Sequence, residues 1–426
     1  MGDPSWSGRW WRSRWCRSRS VAGVLAFVVP ATALLASCAP PPDPVDPAPP
    51  GPPTIEAFSA GGARQAAPVV ATYRWRVDDP NGDRLTCRVD IGADGTYEHR
   101  IEPCRNADSV LAEFDEPGVH RAVLEVSDGY SVPVTAEASL SVAPGPDEPY
   151  DITLRLDPSM RAEFRYAFEA AAERWERVLV AGAPDARLDL PQGLFGWVPG
   201  FSGRVDDVLI DARGGVIDGP GKVLGQAGGL LVRQPDWQPY WGIMNFDEAD
   251  LDVLHSEGRL DQVILHEMGH VLGLGANWLF TGMVQDLLVD PAYSGSAGVA
   301  AFQELGGDRW VPLENGGGLG TAVGHWRESV FGDELMTGYL GSRPVVMSRV
   351  TVAALADLGY GVDLSAADPY TLASAPALTF APTCPGAALR SPARIPRRAP
   401  CRPRGHLTGP SSSSRSTRVW PHRGPV

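Results

Sequence analysis

The sequence predicts two folded parts in one chain, a small all-β sandwich followed by a mixed α/β (α+β) domain. Three observations carry this prediction. Residues 54–145 alternate apolar and polar side chains at the two-residue period of half-buried strands, with Gly, Pro and Asp turn signals between the runs. From about residue 150, strand-like runs are interleaved with stretches whose apolar side chains recur every three or four residues, the pattern of helices lying on a sheet. Within one such stretch lies His266-Glu267-Met268-Gly269-His270, with two histidines one helical turn apart.

A chain of 426 residues with 43% hydrophobic and 21% charged side chains can build a sizeable core. Its net charge of −14 is unevenly spread. Residues 1–38 hold five Arg and one Asp, and residues 385–426 hold nine Arg and no acid, which leaves 23 basic and 50 acidic side chains between them. A body this acidic argues against nucleic acid as the main partner. It suits a soluble surface and is compatible with calcium or basic substrates. The sequence sets no oligomeric state.

Arg9, Arg12, Arg14, Arg17 and Arg19 precede an apolar run from Val21 to Ala36. That run is short for a membrane span and suits a secretory signal peptide over 1–38. It ends Leu35-Ala36-Ser37-Cys38, which resembles a bacterial lipobox. The resemblance implies cleavage before Cys38 and lipidation of its thiol. The protein is then expected in the bacterial cell envelope, exported to the periplasmic or cell-surface side, with a lipid anchor as its only membrane contact. An ordinary signal peptide with a nearby cysteine is the alternative. Residues 39–53 form a Pro-rich, semi-rigid spacer.

In the sandwich, 54–145, Ala71, Tyr73, Trp75 and Val77 alternate with Thr72, Arg74 and Arg76. Ala122, Leu124 and Val126 alternate with Arg121, Val123 and Glu125. Asp79-Pro80-Asn81-Gly82-Asp83, Asp94-Gly95, Glu116-Pro117-Gly118 and Asp128-Gly129 mark turns. Cys87 and Cys104 lie close together here and, in an oxidising compartment, read as a disulfide. Cys384 and Cys401 have no assigned role. The Trp-bearing strand, the Asp-Pro-Asn-Gly-Asp turn and the segment 117–129 resemble the immunoglobulin-like PKD family, which implies a spacer or adhesive module. Asp79, Asp83, Asp90 and Asp94 could bind Ca2+, although aspartates in turns commonly hydrogen-bond their own backbone.

The second domain, 150–366, opens with a strand at 151–156. A helix is expected next, with Asp157 as N-cap and Pro158 in the first position. Phe164, Phe168, Ala171, Trp175 and Val178 form its buried stripe. Strands are expected at 207–211, 223–232 and 241–246, then the motif helix at 259–273. The tail, 367–426, is rich in Ala, Pro, Arg and Ser and is expected to be disordered.

An H-E-x-x-H run on a helix lets both imidazoles reach one Zn2+ and places Glu267 as general base for water activated by the metal. A catalytic zinc takes three protein ligands and keeps one open position. In the compact metzincin pattern the third histidine would fall at Ala276, so that ligand is missing, yet the turn glycine of the pattern is present as Gly273. Downstream come Gly320-Thr321-Ala322-Val323-Gly324-His325-Trp326 and Glu334-Leu335-Met336-Thr337. The combination resembles the leishmanolysin family of metzincin zinc peptidases, in which a long insertion precedes the third ligand. The resemblance covers about 150–366 and implies a metzincin-like fold, with His266, His270 and His325 as zinc ligands, Glu267 as the catalytic carboxylate and Met336 as the Met-turn residue. It departs from the protozoan enzymes in lacking a cysteine-bearing inhibitory pro-segment. Glu334 is the competing third ligand, as in a His-His-Glu site. Glu304, Glu314 and Glu328 read as surface or structural, and His255 as solvated.

The function expected is that of a zinc metalloendopeptidase hydrolysing peptide bonds of extracellular or envelope proteins. Protein or peptide substrates would bind as an added strand at a sheet edge near 224–232. An envelope binding or structural protein with a decayed peptidase domain, and a zinc hydrolase of a non-peptide bond, are the alternatives.

Overall fold

The computed structural model describes residues 51–372 except 218, 220, 222, 223, 319, 320 and 342, together with the strand residues 418 and 419. The expected leader with Cys38, most of the Pro-rich spacer, and Cys384 and Cys401 lie outside the described residues.

The first part contains strands β1 (Thr54–Gly61), β2 (Val69–Asp78), β3 (Thr86–Ile91), β4 (His99–Ile101), β5 (Ser109–Phe114), β6 (Gly118–Ser127) and β7 (Val134–Val142). They form two antiparallel sheets, in the orders β1-β2-β5 and β4-β3-β6-β7. Tyr73, Trp75, Val89, Val110, Leu124, Val126 and Leu140 fill the space between them. Cys87 and Cys104 are disulfide-bonded within this core. The alternation holds on β6, where Ala122, Leu124 and Val126 are buried and Arg121 is exposed. It fails on β2, where Val70 and Thr72 on the opposite face are buried too.

The failure has a tertiary cause. Val70 and Leu111 pack into the core of the second part, not the sandwich's own. Around them the Ser109 hydroxyl donates to Gln303 Oε1 at 3.1 Å, Gln303 Nε2 donates to Asp108 at 3.1 Å, and the Leu364 N–H donates to Glu113 at 2.8 Å. The sandwich is therefore docked through both sheet face and hydrogen bonds, which a freely hinged spacer would not be. The four turn aspartates do not form one cluster. Asp79 groups with Asp83 and Asp128, and Asp90 with Asp94 and Glu98. Asp79 accepts the N–H groups of Asn81 and Asp83, and Asp90 those of Asp94 and Gly95. These bonds are the local turn closure expected of such residues, and the Ca2+ expectation is left without support.

The second part runs β8 (Ile152–Leu156), α1 (Ala162–Glu176), β9 (Leu179–Ala181), β10 (Ala186–Leu190), β11 (Phe201–Val205), β12 (Val208–Gly215), β13 (Gly225–Val232), β14 (Pro239–Asp247), α2 (Glu248–Ser256) and α3 (Leu260–Val271). Its sheet has the order β13-β14-β12-β8. The strands β8, β12 and β14 are parallel, and β13 is an antiparallel edge strand. Ile152, Ile210, Ala212, Met244 and Phe246 on one face meet Phe164, Phe168 and Trp175 of α1 and Val263, Ile264 and Met268 of α3. The opposite face is covered by the β10–β11 hairpin, where Leu188 and Val205 meet Leu209 and Trp241.

Helix α1 begins later than its sequence suggests. Its N-cap is Arg161, and Asp157 instead accepts the N–H and hydroxyl of Ser159 to close a preceding turn. Val178 is buried but lies just beyond the helix end. Helix α2 was not anticipated; Asp247 caps it by accepting the Ala249 N–H.

The remainder carries β15 (Val284–Gln285), β16 (Ala292–Tyr293), α4 (Ser296–Glu304), β17 (Val311–Pro312), α5 (Glu328–Phe331), β18 (Tyr339–Leu340), α6 (Arg349–Asp357) and β19 (Gly361–Val362). The Asp357 carboxylate accepts the Ala297 and Gly298 N–H groups and the Tyr293 and Ser296 hydroxyls. It thus caps α4, whose own N-cap, Gly295, has no side chain. The expectation of a tail disordered from 367 needs correction. Tyr370 donates to the Phe331 carbonyl at 2.6 Å, and Asp368 accepts the Met347 N–H at 2.8 Å, so packing continues past the predicted boundary.

Candidate metal centre

From His266 to Val271 helix α3 is buried all round, so His266, Glu267 and His270 face protein rather than solvent. Its C-terminal turn uses Gly273 at φ +102, as the sequence suggested. Two residues on, Gly275 has φ +71, and a Cβ there would lie 2.0 Å from the Gly324 carbonyl oxygen. Only a glycine lets these two backbones touch. The contact brings the end of the insertion back to the helix, and the next residue is His325.

The three imidazoles converge. His266 Nε2 lies 2.9 Å from His270 Nε2, and each lies 3.2 Å from His325 Nε2. Every Nδ1 meets a backbone carbonyl, of Leu335 at 2.7 Å, Leu274 at 2.7 Å and Thr321 at 2.8 Å respectively. A carbonyl only accepts, so each Nδ1 carries the proton and each Nε2 presents a lone pair. Burial, reinforced by the other two imidazoles, pushes His266 well down, and burial pushes His325 down to about 4. Neutral rings with three converging lone pairs repel one another unless a cation lies between them. Ligands 2.0–2.1 Å from a tetrahedral zinc are spaced roughly 3.3 Å apart, close to the separations seen. The donor set fits zinc.

Glu267 is buried on the same turn, and burial pushes its carboxyl up to about 8. Met336 is fully buried against the helix: a Cβ on Gly269 would come within 3.0 Å of its sulfur and of the Trp175 ring. This explains the glycine between the two helix histidines. The Trp175 indole donates to the Leu265 carbonyl at 3.0 Å, which ties α1 to the turn carrying the first histidine. Edge strand β13 runs alongside α3, since a Cβ on Gly229 would meet the Val271 carbonyl at 2.9 Å.

The structure thus brings His266, His270 and His325 together, with Glu267 on the helix that carries two of them and Met336 packed against that helix. Glu334 is turned elsewhere. Its carboxylate accepts from the Ser348 N–H and hydroxyl, the Thr351 hydroxyl and the Met336 N–H. Burial pushes it up to about 7 against the pull of those donors. Ala276 is exposed, and so is His255, whose ring meets Phe164 edge-on. Glu314 is buried and accepts the Asn315, Gly316 and Glu328 N–H groups, a structural role. Sequence reading missed Gly275, although its place two residues beyond the turn glycine was a signal.

A buried trio of neutral imidazoles with a carboxylate on the intervening helical turn defines a metallopeptidase-like centre. Comparison with known proteins agrees: residues 230–384 match the family described as leishmanolysin, a stretch holding all three histidines and Met336 but less than half of the chain. Over that stretch the chain is similar to leishmanolysin. Among solved structures it is similar to the PKD domain of an M14-like peptidase from Thermoplasmatales archaeon SCGC AB-540-F20, at 23% identity and a TM-score of 0.18, over 22% of this chain and 97% of that one. No curated protein matches the chain.

Proposed function

We propose that this chain is a zinc-dependent endopeptidase acting on extracellular or envelope proteins. The observation that carries the reading is the convergence of three Nε2 lone pairs within 3.2 Å of one another, beside a buried glutamate. Zinc, when bound there, supplies Lewis-acid activation of water and of the scissile carbonyl. His266, His270 and His325 hold it, each kept in its donor tautomer by a backbone carbonyl. Glu267 takes the proton of the attacking water on its carboxylate and returns it to the departing amine. Met336 supplies an apolar floor. An extended substrate adds to edge strand β13, which has no strand on its outer side among the described residues, and so lies along the helix that carries the site.

The envelope location and lipid anchor at Cys38 belong to the same proposal and rest on the N-terminal sequence. Intact-mass analysis of the native protein tests them, and a mature N-terminus at another residue refutes the anchor. For the activity, a casein and peptide-library digest is run with chelator, without it, and after zinc is restored. Cleavage that disappears and returns supports the reading, as does loss of zinc stoichiometry in His325→Ala. A zinc-loaded protein inert on every peptide would turn the reading towards a non-peptide hydrolase or an envelope binding protein.

A further inference from the structure

We propose that Glu334 is a positioning residue that orients two of the three metal ligands through one buried hydrogen-bonded unit, an inference that rests on the metal-centre reading above. One carboxylate oxygen accepts the Met336 N–H at 2.6 Å. This holds the turn 334–336, and the carbonyl in the middle of that turn, Leu335, receives the His266 Nδ1–H at 2.7 Å. The other oxygen accepts the Ser348 N–H at 3.0 Å, the Ser348 hydroxyl at 2.8 Å and the Thr351 hydroxyl. Thr351 in turn accepts the indole N–H of Trp326 at 2.8 Å, and Trp326 is the residue next to His325. The backbone closes the circuit, because the Trp326 N–H donates to the Met336 carbonyl at 2.9 Å.

Every member of this unit is fully buried. A hydrogen bond lost here leaves a polar group that water cannot satisfy, so the unit holds its geometry or breaks as a whole. Four donors aimed at one carboxylate leave no freedom in its placement. His270 lies outside the unit, since its Nδ1 is held by Leu274, four residues along its own helix. The helix therefore positions one ligand by itself, and Glu334 positions the two whose orientation depends on distant chain. Glu334, the carboxylate that competed for the third ligand place, thus serves the ligands without being one.

The test measures zinc affinity by competition with a chelator, and the melting temperature of the metal-free protein, in the full chain. Glu334→Gln puts an amide N–H against the Met336 N–H and should weaken zinc binding by about 10–100-fold, the range typical for groups that orient ligands. That variant risks misfolding, so Thr351→Val carries the test. It cuts only the branch to Trp326 and should weaken zinc binding by roughly 10-fold, while Thr351→Ser, which keeps the hydroxyl, restores affinity. Trp326→Phe combined with Thr351→Val should add little to either change alone, because both cut the same link. If Thr351→Val lowers the melting temperature but binds zinc as tightly as the natural protein, the role is merely structural and the inference is overturned. If the natural protein itself binds no zinc, the metal-centre reading fails first.

Discussion

Replacing Gly275 by alanine tests how the third histidine reaches the metal site. The new Cβ would sit 2.0 Å from the Gly324 carbonyl oxygen and 2.8 Å from its carbonyl carbon. Carbon and oxygen come to rest at about 3.3 Å, so the 324–325 segment must retreat by about 1.3 Å. Metal–ligand distances tolerate only about 0.2 Å. His325 follows Gly324 directly, and its ring cannot swing back without losing the Thr321 carbonyl that holds its tautomer. Zinc affinity should fall at least about 10-fold, or about 1.4 kcal/mol. Alanine at φ +71 also strains the backbone by about 1–2 kcal/mol wherever it is placed. Gly282→Ala isolates that second effect, because Gly282 has φ +74 and nothing within 4 Å of its Cβ position. The assay is chelator-competition titration beside thermal unfolding. Gly282→Ala should lower stability and leave zinc binding intact. Undiminished zinc affinity in Gly275→Ala, or an equal loss in Gly282→Ala, would refute the reasoning.

Further expectations concern catalysis and stability. Glu267→Gln should keep one zinc per chain and slow peptide hydrolysis by about 10²–10⁴-fold; a turnover close to that of the natural protein would remove Glu267 from the mechanism. Gly269→Ala gains about 1 kcal/mol of helix propensity but forces Met336 and Trp175 apart, at about 1–3 kcal/mol. Denaturant unfolding should therefore show a neutral to destabilising change, and a clear gain in stability would mean that the Met336 floor yields easily. Converting Cys87 and Cys104 together to serine opens a link spanning 17 residues, worth roughly 3 kcal/mol in chain entropy. Calorimetry that found no loss would show that the sandwich core holds without the bond.

Sequence periodicity located most of the sheet, the motif helix and the sandwich because those patterns are local. Spacing along one helix places His266 and His270 on the same face whatever surrounds it, and alternation along β6 records which face is buried. The third ligand was legible only through resemblance. His325 is 55 residues from His270, and no local rule connects them. The same holds for the start of α1, where Asp157 found a turn to close before the helix began, and for Val70, packed into the core of a neighbouring domain that the strand pattern cannot see.

What the amino-acid order determined alone was the chemistry on offer: two imidazoles and a carboxylate on one buried helix, a glycine that ends it, and a strand rich in glycine to run beside it. Tertiary structure decided which distant groups complete the site. The backbone touch between Gly275 and Gly324 delivers His325, and the donors around Glu334 turn that carboxylate away from the histidines. The physical reason is range. Helix and strand geometry act over a few residues, whereas closing the long insertion and satisfying a buried charge depend on atoms that only the folded chain brings together.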